Sequence, residues 1–108
     1  MELDTYLANQ AEISYRTKAG LTLFTFSNLR KLLEHCRKNK MIILGIEGFW
    51  VTNQSICPDM QAIADFSQTE YLPQESRSTK TVYLAQQFLE NLTAQQKKEL
   101  LFEITIAI

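Results

Sequence analysis

Apolar residues recur at Leu29, Leu32, Leu33 and Cys36, the i, i+3, i+4, i+7 spacing of one helix face. The stretch from Asn28 to about Asn39 therefore reads as an amphipathic helix. Arg30, Lys31, Glu34, Arg37 and Lys38 fall on its other face. Ser27 stands where an N-cap hydroxyl would satisfy an orphan amide, and Arg37, Lys38 and Lys40 suit the negative end of the helix dipole. A second stripe, Val82, Ala85, Phe88, Leu89 and Leu92, predicts another helix, with Ser78 or Thr79 as its cap. Thr93-Ala94-Gln95-Gln96 has capping-box spacing and predicts a short helical turn. Near the start of the chain, Leu3, Tyr6, Leu7 and Ala11 predict a short amphipathic helix.

Elsewhere the period shortens to that of strands. Met41 to Val51 is rich in β-branched and aromatic residues and predicts a central strand. Ile42, Ile43 and Leu44 in succession imply burial on both of its faces. Phe102, Ile104, Ile106 and Ile108 alternate with Glu103 and Thr105, so a strand is expected there as well. Shorter strands are expected over Ile13–Thr17, Leu21–Phe26 and near Ala62 to Phe66. Turns fall at Lys18-Ala19-Gly20 and Thr52–Ser55, and Ser67 to Lys80 reads as an exposed polar loop. The expected architecture is one α+β domain over residues 1–108. Two main helices pack on one face of a small, mostly antiparallel sheet, burying both stripes.

Composition narrows the function classes. A chain of 108 residues, 45% hydrophobic and 21% charged, can bury a core without disulfides or metals. A net charge of −1 supplies no overall field to select a nucleic acid or an acidic membrane. His35 is the only histidine, and Cys36 and Cys57 form no C-x-x-C pair, so neither metal nor cofactor is expected. Reduced, buried cysteines and a polar opening without signal-peptide layout point to the cytoplasm.

The candidate chemistry centres on Met41 to Ser67. Glu47 sits between Gly45 and Gly48, and Trp50, the single tryptophan, follows closely. Glycines strip bulk from a strand and let a backbone or ligand approach. Trp50 would be a natural protein-binding anchor if exposed, and a core residue if not, while Phe49 reads as core. On a plain strand Glu47 and Trp50 face opposite ways, so a shared surface requires a bulge, expected near Gly48. Asp59 and Asp65 complete the candidate binding set of Glu47, Trp50, Asp59 and Asp65.

Other chemistries compete for the same residues. Glu47, Asp59 and Asp65 could serve a small hydrolase as acid and base, or hold a hard cation. The bland alternative makes Asp59 a turn cap, Asp65 a strand end and Glu47 a solvent-facing acid. His35 and Cys36 are adjacent on a helix, about 100° apart, so they do not form a nucleophile pair, and Cys36 lies on the apolar stripe. The basic helix 28–40 could touch phosphates in a nucleic-acid accessory protein, yet no aromatics accompany it for stacking. A solvated helix face accounts for it more simply. No phosphate-loop motif surrounds the glycines.

The order of a helix, an ILGIEGF strand and a long turn into Ile63-Ala64-Asp65-Phe66-Ser67 resembles small bacterial immunity proteins of polymorphic toxin systems. The resemblance covers Leu29 to Ser67 and is one of layout, so it assigns no binding residue. It implies a compact single domain that neutralises a toxin by binding it. The expected function is thus a non-enzymatic protein-binding module with a protein partner. A homodimer is compatible with it, and no nucleic acid or membrane partner is expected.

Overall fold

The structure, a computed structural model, describes residues 16–18 and 20–107. The helix expected over Leu3 to Ala11 lies outside these residues, as do Ile13 to Tyr15 of the first expected strand. The described chain begins with a hairpin, β1 (Arg16–Lys18) and β2 (Leu21–Leu23), turned at Gly20 with φ 80°. Phe24 then exchanges two backbone hydrogen bonds of 2.8 Å with Phe102, tying the hairpin to the edge of the main sheet.

Helix α1 (Phe26–Lys38) starts two residues before the expected position. Thr25, not Ser27, is its cap: the Thr25 hydroxyl accepts from the Asn28 amide at 3.2 Å. Either hydroxyl could cap a helix in principle, and Thr25 is the one with the extended backbone of an N-cap, Ser27 lying already within the first turn. Leu29, Leu32, Leu33 and Cys36 are all buried, as their spacing requires. The helix stops in a Schellman motif. Lys40 adopts φ 54°, and the amides of Met41 and Lys40 donate to the carbonyls of Cys36 and Arg37.

β3 (Ile43–Val51) is the central strand of a three-stranded antiparallel sheet in the order β4-β3-β5. β4 (Ile56–Asp65) is ten residues long, so the strand expected near Ala62 is the end of a longer one. Of Ile42, Ile43 and Leu44 only Ile43 is fully buried, because helices cover a single face of the sheet. A 3-10 turn (Ser67–Thr69) leads to α2 (Gln74–Glu90). This helix corrects the reading of Ser67 to Lys80 as a loop, and neither Ser78 nor Thr79 caps it. Pro73 precedes it, and its first turn is polar because it is exposed. Ser78 and Thr81 are polar for another reason. Their buried hydroxyls hold the start of β3: Ser78 Oγ donates to the Met41 carbonyl at 2.8 Å, and the Ile43 amide donates to Thr81 Oγ1 at 3.0 Å.

α3 (Ala94–Glu99) carries the expected capping box between Thr93 and Gln96. β5 (Leu101–Ile106) completes the sheet. The core joins Leu29, Leu32, Leu33 and Cys36 of α1 with Val82, Ala85 and Leu89 of α2. Both stripes pack on Ile43, Ile46, Phe102 and Ile104 of the sheet. The α+β arrangement, with two helices on one face of an antiparallel sheet, is the expected one.

Candidate functional site

Strand register divides the candidate residues between two faces. On the inner face, Ile46 pairs with Ala64 and Ile104, Gly48 with Phe102, and Trp50 with Cys57. On the outer face, Gly45 pairs with Asp65 and Thr105, Glu47 with Ile63 and Glu103, and Phe49 with Pro58 and Leu101. Glu47 and Trp50 therefore point to opposite sides. Trp50 is half-buried against the helical core, so the shared Glu47–Trp50 surface does not form. Phe49 is buried, but on the outer face and apart from the helical core cluster, so that end of the outer face is covered.

The expected irregularity at Gly48 exists, but on the neighbouring strand. Between the Phe49–Pro58 and Glu47–Ile63 pairs, Asp59 to Ala62 of β4 run opposite Gly48 alone. β3 itself stays regular against β5 through Glu47, Gly48 and Phe49. The extra length sits in β4, so it cannot turn Trp50 toward Glu47.

The glycines also act differently from expectation. A Cβ on Gly48 would lie 3.0 Å from both Ala62 Cβ and Leu100 Cδ1, so this glycine admits core side chains. Gly45 does share the face of Glu47. A Cβ there would meet the Ala64 carbonyl oxygen at 2.9 Å, so the backbone it admits is that of β4.

Glu47 and Asp65 meet in a depression of about 260 Å³ on the outer face, lined also by Ile63, Glu103 and Thr105. Glu103 was not a sequence candidate. The alternation of Phe102 and Ile104 turns it outward, but its pairing with Glu47 follows only from strand order. Partial burial, and then the charge of Glu47, hold the Glu103 carboxyl above its ordinary range. Asp65 accepts from the Ser67 amide at 2.9 Å, which lowers its carboxyl below the usual range, with the Ser67 side chain contributing.

Asp59 lies apart. Its Oδ1 accepts from the Gln61 amide at 2.9 Å, and its Oδ2 accepts from Gln96 Nε2 at 3.1 Å. It shapes the β4 bulge and ties it to the start of α3. The triad of Glu47, Asp59 and Asp65 is thus not assembled, and no group of three or more His, Cys, Asp or Glu placed to hold a metal occurs among the described residues. Cys36 is fully buried, and burial pushes its thiol up to about 12, which removes it as a nucleophile.

Charge is segregated in a way the net value conceals. β3, β4 and β5 carry Glu47, Asp59, Asp65 and Glu103 and not one Lys, Arg or His. Arg30, Lys31, Arg37, Lys38 and Lys40 instead occupy the exposed face of α1 and its end. Part of that basic face is tied locally: Arg37 pairs with Glu34, and Lys40 with Glu75 at 2.9 Å. A larger cleft of about 600 Å³ lies between the end of α1 and the start of α2, beside His35, Lys40 and Arg77. Arg77 Nε there donates to Thr69 Oγ1 at 3.1 Å.

Comparison with known protein families, with curated proteins and with solved structures finds no match. No helix among the described residues is long and apolar enough to cross a membrane.

Proposed function

We propose that this protein is a non-enzymatic protein-binding module of the immunity-inhibitor kind, acting in the bacterial cytoplasm and engaging its partner through the outer face of the sheet. The observation that carries the reading is the unequal use of the two faces. Helices α1 and α2 bury the inner face, while Glu47, Ile63, Asp65, Glu103 and Thr105 present a mixed apolar and acidic surface on the other. Ile63 is 42% exposed there, an apolar centre with a polar rim. Glu47 and Asp65 belong to the binding surface. Trp50 and Asp59 support it from the core and from the β4 bulge.

The test uses Glu47→Lys and the product of the adjacent gene as the partner. The variant is expected to weaken binding by about tenfold or more, some 1.4 kcal/mol, in calorimetry. Its melting temperature is expected to stay near that of the parent, since Glu47 lies on the sheet face away from the helices. Binding at parental strength would overturn the reading, and so would loss of the fold. For the immunity role, co-expression should restore growth to cells making the neighbouring toxin.

A further inference from the structure

The outer sheet face carries a constraint on what can cover it. Glu47 and Glu103 are directly opposed on adjacent strands. Side chains in such a pair stand about 5 Å apart at Cβ, and like charges there repel. Nothing on β3, β4 or β5 neutralises them, because those strands hold no cation. Ile63 lies beside the pair on the third strand, half-exposed. An occupant of this face must therefore bring positive charge to one side of an apolar contact.

We propose that the face docks an extended, cationic segment of a partner protein, with a guanidinium seated between the carboxylates of Glu47 and Glu103 and its aliphatic stem over Ile63. This rests on the reading of the face as a docking surface and adds the chemistry of the occupant. Arginine fits better than lysine. Its planar fork offers several donors at once and can bridge two acceptors on neighbouring strands. Its stem covers apolar surface while its head stays with the charge. Asp65 extends the negative field along the same face, so a second cation two residues further along the segment meets it. Repulsion between Glu47 and Glu103 in the free protein is relieved on binding, and that relief favours a cation over a neutral partner. Burial first, and then the charge of Glu47, hold the Glu103 carboxyl above its ordinary range.

Two other occupants are disfavoured by charge and geometry. Residues 1–15 of this chain carry Glu2, Asp4 and Glu12 with no Lys or Arg, so as an occupant they would bring like charge. A second copy would offer cations from its helices, chiefly the basic side of α1. Such a face-to-helix contact is heterologous and builds rings or open chains of copies, which the concentration dependence of the free chain reveals.

The experiment follows amide resonances of the full chain at low salt while a short peptide alternating threonine and arginine is added. A peptide alternating threonine and glutamate serves as control. Shifts confined to Gly45, Glu47, Ile63, Glu103 and Thr105 are expected with the arginine peptide alone. The Glu47→Gln/Glu103→Gln protein should bind it about tenfold more weakly. Glu90→Gln/Glu99→Gln, which removes equal charge from exposed helical positions, should bind as the parent does. Equal losses in both double variants, or shifts elsewhere, would reduce the effect to bulk charge and overturn the proposal. So would contacts between Ile63 and residues 1–15 in the free chain, or concentration-dependent shifts of the same amides without peptide. If Glu47→Lys abolishes partner binding while the arginine peptide has no effect, the docking face stands and its cationic occupant falls. If partner binding survives Glu47→Lys, the docking reading itself falls.

Discussion

Glu47 and Glu103 form the one cross-strand pair of like charges on the main sheet, and its cost is measurable. The folded pKa of Glu103 is raised above the ordinary 4.5, chiefly by burial and then by Glu47. The folded chain thus holds a proton that the unfolded chain releases at lower pH, and stability falls as pH rises through that window. Glu103→Gln is expected to stabilise the protein at neutral pH, on the order of a few tenths of a kcal/mol after solvent screening. The gain should vanish below the window, where Glu103 is itself neutral. Denaturant midpoints of the two proteins across pH check this, since the opposite dependences of Glu34, Asp65 and Glu75 cancel in the difference. At this scale the sequence exposed Glu47 and Asp65 but not Glu103. An acid alternating with Phe102 and Ile104 is ordinary on a strand, and only its neighbour makes it notable.

At the scale of elements, caps and joins decide where helices begin and how they seat. Thr25→Ala should destabilise by about 1 kcal/mol, whereas Ser27→Ala, within the first turn, should stay within about 0.5 kcal/mol of the parent. Equal losses would mean that the cap is shared. Thr81 is a stronger test. Its hydroxyl is the acceptor for the Ile43 amide, and both groups are buried. Thr81→Val keeps the shape and strands that amide, at a cost of about 1–3 kcal/mol in a denaturation midpoint. A neutral Thr81→Val would show that the amide finds another partner. The stripes of α1 and α2 were legible because burial on a helix imposes its own period. The first two turns of α2 were not. Gln74 to Thr81 has no apolar stripe, since its buried members are Ser78 and Thr81, which hydrogen-bond the chain where it enters β3.

At the scale of the whole molecule, one core couples every long element. Leu32 is fully buried within it, so Leu32→Ala is expected to cost about 2–5 kcal/mol. That is a large share of the roughly 5–15 kcal/mol available to a domain of this kind. An unchanged unfolding midpoint would place α1 with its other face inward. The sequence by itself determined that α1, the later turns of α2, β3 and β5 are helical or extended, which side of each helix is apolar, and that the two stripes need a sheet to cover. Those properties are local, written in the spacing of residues along one element. Tertiary structure alone decided that β4 takes up the extra residues opposite Gly48, which leaves Trp50 with the core and Glu47 on the open face. It also brought Glu103 opposite Glu47 and gathered the acids of three strands away from the basic face of α1. Pairing partners and register depend on contacts between distant segments, and no periodicity within a single segment encodes them.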